Sequence, residues 1–160
     1  MLVTKTQIQY HAAPYGLIAI IPAGIPVTAA ITLPEKNKFW VGTWPGMSEK
    51  AKSWQTSYGF LVDASEVEES PFQLGQRVRI LPCPYYPGSI RYGVIHGVTQ
   101  QPGMNLIDKA RPSRAGEWSY AVANYYNPGA GALWFSTDGL QAMKRLPRLT
   151  DNPQWCYAKA

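Results

Sequence analysis

The chain has 160 residues, a formal net charge of +5 and a hydrophobic fraction of 46%, enough apolar side chains for the core of one ordinary domain or two small ones, which excludes a largely disordered polypeptide. Two cysteines, Cys83 and Cys156, are too few for a disulfide framework and lack the paired spacing of a zinc site, so free thiols in a reducing compartment are expected. Charge is uneven: residues 1–70 hold five lysines against six carboxylates, a net of −1, whereas residues 71–160 hold ten Lys and Arg against four carboxylates, a net of +6.

Glycine and proline, 14 each, exceed average usage without a periodic repeat, which predicts an α+β protein, mostly β, built of short strands and turns. The uncharged run from Gly16 to Pro34 is broken by Pro22, Gly24 and Pro26, so it lacks the continuous apolar helix of about 20 residues that a membrane span requires. Only Lys5 precedes it, with His11, Pro14 and Gly16 intervening, a poor match to a signal peptide. A soluble, cytoplasmic protein is expected.

In the front half, Leu17–Ile21 and Val27–Leu33 are β-prone runs flanking Pro22-Ala23-Gly24-Ile25-Pro26, and they read as the two arms of a hairpin. Phe39–Trp44 is an aromatic strand candidate ended by Pro45-Gly46. Ser48 is placed to cap a short helix running to about Ser57, its hydroxyl accepting a first-turn amide. Met47, Ala51, Trp54 and Tyr58 are spaced to share one face of it and pack on the sheet. Tyr58–Val62 is a return strand, and Glu66, Glu68, Glu69 and Ser70-Pro71 form a polar joint.

In the basic half, Val78 and Ile80 alternate with Arg77 and Arg79, the pattern of a half-buried strand. Pro82–Gly88 is a stiff loop and Ile90–Thr99 a second strand, in which Gly93 and Gly97 permit the bending of a small barrel. A long polar loop, 100–116, carries Lys109, Arg111 and Arg114. Glu117–Tyr126 and Ala132–Ser136 are further strands, Thr137-Asp138-Gly139 a single helical turn, and Leu140–Lys144 a fifth strand. The expected organisation is a hairpin and helix module over 1–70, a barrel over 71–145 and a tail over 146–160 packed on the domain, with Trp155 as its tack.

Three stretches, Leu74–Ile80, Tyr92-Gly93-Val94-Ile95, and Leu133-Trp134-Phe135 followed by Asp138-Gly139-Leu140, resemble the SH3-like small barrels, including the KOW and Tudor types, over Gln73 to Arg145. The resemblance implies a five-strand barrel and brings no activity with it. The chain departs from that pattern in its long 100–116 loop and its incomplete set of KOW-type turn glycines. Ile21–Val27, Phe39-Trp40-Val41, Gly46–Glu49, Ser53-Trp54 and Tyr58–Val62 are similar to uncharacterised proteins of cyanobacteria and of phages or plasmids. That likeness implies a small intracellular accessory protein and lends no catalytic residues.

The leading binding constellation joins aromatic and basic side chains: Tyr85, Tyr86, Arg91 and Tyr92 around the first barrel loop, Tyr125 and Tyr126 at the end of the third strand, and Arg111 and Arg114 in the long loop. Exposed tyrosines stack on bases or grip a peptide, and arginines pair with phosphates or carboxylates. The expected function is a non-catalytic binding or adaptor protein for nucleic acid or an acidic protein segment, with no cofactor, no metal and no membrane partner. A rival is a small redox or hydrolytic enzyme using His11 or His96 with Cys83. Pro82 and Pro84 around Cys83 argue instead for a structural loop, not the helix N-terminus that would activate a thiol. A third reading is a mobile-element accessory or inhibitor that binds a host protein. The six tryptophans are expected to serve mostly as core anchors.

Overall fold

Pro22 and Pro26 bracket the turn between the two β-prone runs of the front half, and neither can donate to a sheet ladder. In the computed structural model, which describes residues 1–32, 34, 36–81, 91–103, 113–124 and 131–144 (Arg91 and Asn124 through their backbone alone), those runs do not pair with each other. The chain leaving Gly16–Ile21 (β3) is drawn instead onto Leu2–Thr4 (β1). The buried Thr4 hydroxyl donates to the Pro22 carbonyl at 2.7 Å and accepts the Ile25 N–H at 2.9 Å, while the Gly24 N–H reaches the Thr4 carbonyl at 2.8 Å. β3 pairs with the preceding strand, Ile8–Ala12 (β2), and Val27–Ala29 (β4) pairs with Lys38–Val41 (β5).

The structure is mostly β, with one α-helix and several small antiparallel sheets, and the chain divides into two compact units, Met1–Gln73 and Leu74–Ala160. In the first unit the helix, Glu49–Ser57 (α1), begins where its cap predicts: Ser48 Oγ accepts the Ala51 N–H at 3.1 Å. Met47 and Ala51 are buried and Trp54 is half-buried, but Tyr58, at the C-cap with φ −130°, is 64% exposed, so the apolar stripe runs off the core at its end. Gly59 then takes the left-handed conformation (φ 74°), its N–H donating to the Trp54 carbonyl, a common way to stop a helix. Leu61–Asp63 (β6) completes a three-stranded sheet, β4-β5-β6.

Residues expected in a polar joint prove to be structured. Ala64–Glu66 is a 3-10 turn, with the Glu66 carboxylate accepting the Asp63 N–H at 3.0 Å, and Val67–Glu69 (β7) pairs antiparallel with β1. β1 also touches the start of β4 through a Val3–Pro26 bridge. The core beneath these strands holds Val3, Ile21, Ile25 and Phe60, all fully buried, with Val41, Trp44 and Val62 around them. The Phe60 ring meets Tyr10 edge-on at 4.9 Å and Trp44 at 5.6 Å.

The second unit follows its predicted order. Arg77–Ile80 (β8), Arg91–Thr99 (β9), Ser119–Asn124 (β10), Ala132–Ser136 (β11) and Leu140–Ala142 (β12) form one antiparallel sheet ordered β11-β10-β9-β8-β12, with a 3-10 turn, Thr137–Gly139, before the last strand. Val78, Ile80, Ile95, Tyr120, Val122, Phe135 and Leu140 are buried on its inner side. Gly93 serves close approach: a Cβ there would collide with the Ala123 carbonyl and the Val122 side chain on β10. Of the tryptophans, Trp44 and Trp118 are buried as anchors and Trp40 is 37% exposed; Trp155 and the 146–160 tail lie outside the described residues. Among the described residues, no helix is long and apolar enough to cross a membrane.

Candidate functional site

Side chains alternate across a strand, so on β8 the burial of Val78 and Ile80 turns Arg77 and Arg79 to the opposite face. The register then decides what stands beside them. Arg79 lies directly across from Tyr92 on β9 and from Gln141 on β12, while Arg77 lies across from Val94. Residues directly opposite on neighbouring strands sit within about 4.5–5.5 Å at Cβ, so the outer face of the second unit presents a row of Gln141, Arg79 and Tyr92 with Arg77 one step along. Arg77 is exposed and donates to the Lys144 carbonyl at 3.5 Å; Arg79, Tyr92 and Val94 are half-buried.

The electrostatics of this row are one-sided. Among the described residues no carboxylate makes an ion pair with either arginine. The Arg79 Nε is buried and has no hydrogen-bond partner among the described residues. A guanidinium is permanently charged and presents its donors in a fixed fork, and a buried donor left without an acceptor carries a cost of roughly 1–3 kcal/mol. That nitrogen is closed to solvent, so an anion at the surface would meet the charge of the half-buried guanidinium and not the Nε itself. The arrangement therefore suits a phosphate or carboxylate, with the Tyr92 ring beside it as an apolar wall.

Of the residues singled out from sequence, Tyr92 is brought into this row. Arg91 opens β9 with its backbone opposite Ile80. Arg114 is exposed in the turn before β10, where its N–H faces the Glu117 carboxylate at 3.4 Å. Tyr85, Tyr86, Arg111, Tyr125 and Tyr126 lie outside the described residues, as does Cys83. The sequence marks Arg77 and Arg79 only as the polar half of an alternating strand. The alternation already put them on the outer face, but pairing with Tyr92 depends on the β8–β9 register, which sequence does not fix.

The histidines fall in different units. His11 is exposed on β2, and His96 is exposed on β9, where it is the extra residue of a bulge: Gly97 pairs with Ala121 and Ile95 with Val122. Among the described residues, no group of three or more His, Cys, Asp or Glu side chains is gathered as a metal site would require.

The chain matches no family model, no curated protein and no solved structure.

Proposed function

We propose that the chain is a non-catalytic binding or adaptor protein whose second unit, an SH3-like small barrel, holds nucleic acid on its basic, tyrosine-bearing outer edge. The observation that carries this reading is the row on β8 and β9: two arginines without a carboxylate partner among the described residues, set beside Tyr92. The sheet order β11-β10-β9-β8-β12 with a 3-10 turn before the last strand supports the barrel assignment. Arginine beside an aromatic ring is the pairing that meets a phosphate and stacks a base at once. The net charge of +6 over residues 71–160 would draw a polyanion to that half before contact.

The test is a fluorescence-polarisation titration of the full chain with single- and double-stranded DNA and RNA at two salt concentrations. Affinity should fall with salt, because phosphate contacts release counterions, and Arg77→Gln with Arg79→Gln should lower the slope of log K against log salt by about one for each contact removed. An acidic peptide in the same titration is the competing ligand. Preference for the peptide, or absence of oligonucleotide binding at low salt, sinks the nucleic-acid reading.

A further inference from the structure

The two units close in the same way, although their sequences differ. In the first, the last residue of β1, Thr4, pairs with the first residue of β7, Val67; in the second, the last residue of β8, Ile80, pairs with the first residue of β12, Leu140. The residue after each opening strand donates to the last carbonyl of the 3-10 turn: Lys5 to Glu66 at 2.8 Å and Leu81 to Gly139 at 2.9 Å. The residue after each closing strand returns the pattern, Ser70 to the Met1 carbonyl and Met143 to the Arg77 carbonyl, at 2.9 and 3.0 Å. Further in, Phe39 pairs with Val62 and Tyr120 with Phe135, each two residues before its 3-10 turn. β1, β4, β5, β6 and β7 therefore stand in the order of β8, β9, β10, β11 and β12.

This correspondence assigns equivalent places. In the second unit, Tyr85 and Tyr86 belong by residue number to the connection from first to second strand, and Tyr125 and Tyr126 to the one after the third, all four outside the described residues. In the first unit, the matching connections are residues 5–26, which include the β2–β3 hairpin, and residues 42–60, which include α1. Here the described residues meet: Tyr15, at the hairpin tip, packs edge-on against Trp54 of α1 at 5.9 Å, and Trp54 packs against Tyr58 at 4.5 Å. Tyr15 and Tyr58 are each 64% exposed.

Such rings accept several flat ligands, and charge selects among them. Lys50 lies one helical turn before Trp54 and its Nζ donates to the Leu17 carbonyl at 2.9 Å, which seats the ammonium between helix and hairpin. Among the described residues no carboxylate pairs with Lys50, whereas the neighbouring Glu49 carboxylate is held by Lys52 at 3.3 Å. Largely exposed tyrosines that share a hairpin and helix with a cation complement a base and its phosphate.

We infer that Tyr15, Trp54 and Tyr58, with Lys50, form a second single-stranded nucleic-acid surface on the first unit, in the connections that match, by strand order, those whose sequence carries tyrosines in the second. This inference rests on the proposed nucleic-acid function and adds a site to it. The full chain is titrated with fluorescein-labelled oligothymidylate, as wild type, as Tyr15→Ser/Tyr58→Ser and as Lys50→Gln. Loss of one stacked base should weaken binding by about fivefold to 150-fold, which corresponds to ~1–3 kcal/mol. Lys50→Gln should lower the salt slope by about 0.7, the value for one phosphate of a single strand. Because both tyrosines are mostly exposed, the melting temperature should stay at the wild-type value; if the double variant melts early, Lys50→Gln alone decides by its slope. Unchanged affinity in the tyrosine variant and an unchanged slope in Lys50→Gln overturn this site, and the proposed function survives if Arg77→Gln/Arg79→Gln still weakens binding. No binding of oligothymidylate, DNA or RNA by the wild type overturns both.

Discussion

Gly59 combines two constraints, a left-handed backbone and the close approach of an indole ring. Its φ is 74°, and a Cβ built on it would lie 2.7 Å from Cζ3 of the Trp40 indole. Gly16 has the same φ, 74°, with no atom within 4 Å of an added Cβ. Gly16→Ala should therefore cost only the left-handed backbone penalty, about 1–2 kcal/mol. Gly59→Ala should cost that and the displacement of the Trp40 ring, about 1–3 kcal/mol more from overpacking, for a total of roughly 2–5 kcal/mol. Both glycines belong to the first unit, so one urea transition followed by circular dichroism reads both. Trp40→Ala in the Gly59→Ala background should remove the excess, leaving a coupling of at least about 1 kcal/mol in the double-mutant cycle. Equal losses for Gly16→Ala and Gly59→Ala would refute the reasoning, since they would mean that the indole moves aside freely and that Gly59 is needed for its backbone alone.

Thr4→Val keeps the side-chain shape but removes the hydroxyl that bonds Pro22 and Ile25; leaving those buried groups unsatisfied should cost about 1–3 kcal/mol in urea denaturation, and Thr4→Ser should recover most of it. Ser48→Ala deletes the α1 cap and should cost about 1 kcal/mol, read in the same assay, while Ser48→Asp should be close to neutral. Gly93→Ala should lose about 1–3 kcal/mol, because the obstructing Ala123 carbonyl belongs to the paired strand and cannot rotate away as a side chain can. Arg79→Met should leave the melting temperature unchanged or raise it, since a buried donor without an acceptor is exchanged for an apolar group, while oligonucleotide affinity falls. Early melting of Arg79→Met would mark that arginine as a structural residue.

Local signals were legible where one residue type governs one piece of backbone. Ser48 announces the helix start, Thr-Asp-Gly the helical turn at 137–139, and in the second unit the alternation about Val78 and Ile80 marks both a strand and its buried face. The front half resisted for the opposite reason. β1 and β7 are three residues each, too short for periodicity, and β7 carries Glu68 and Glu69, which composition assigns to a solvated joint. They are strands because each supplies the other's ladder, a fact of pairing 65 residues apart that neither segment announces. Two β-prone runs flanking a proline turn look like hairpin partners, yet they pair elsewhere because the Thr4 hydroxyl diverts that turn to β1. Tyr58 matched the helical stripe in spacing, but its place at the C-cap takes it off the core.

The shared closure of the two units is made by main-chain atoms, and that explains why it is invisible in the sequence. At equivalent positions Thr4 answers to Ile80, Val67 to Leu140 and Glu66 to Gly139, pairs with nothing in common except that none obstructs an N–H or a carbonyl. What is retained is burial: Val62 and Phe135, like Val41 and Val122, are all at most 5% exposed, because those positions face the interior whatever their shape. The freedom left over lies in the connections and on the outer faces, where insertions and charge cost the fold little. The first unit uses it for a hairpin and a helix that bring Tyr15, Trp54 and Tyr58 together; the second uses its outer strand face for Arg77, Arg79 and Tyr92. Two copies of one closure can therefore carry two surfaces of different construction, and each must be tested through its own residues.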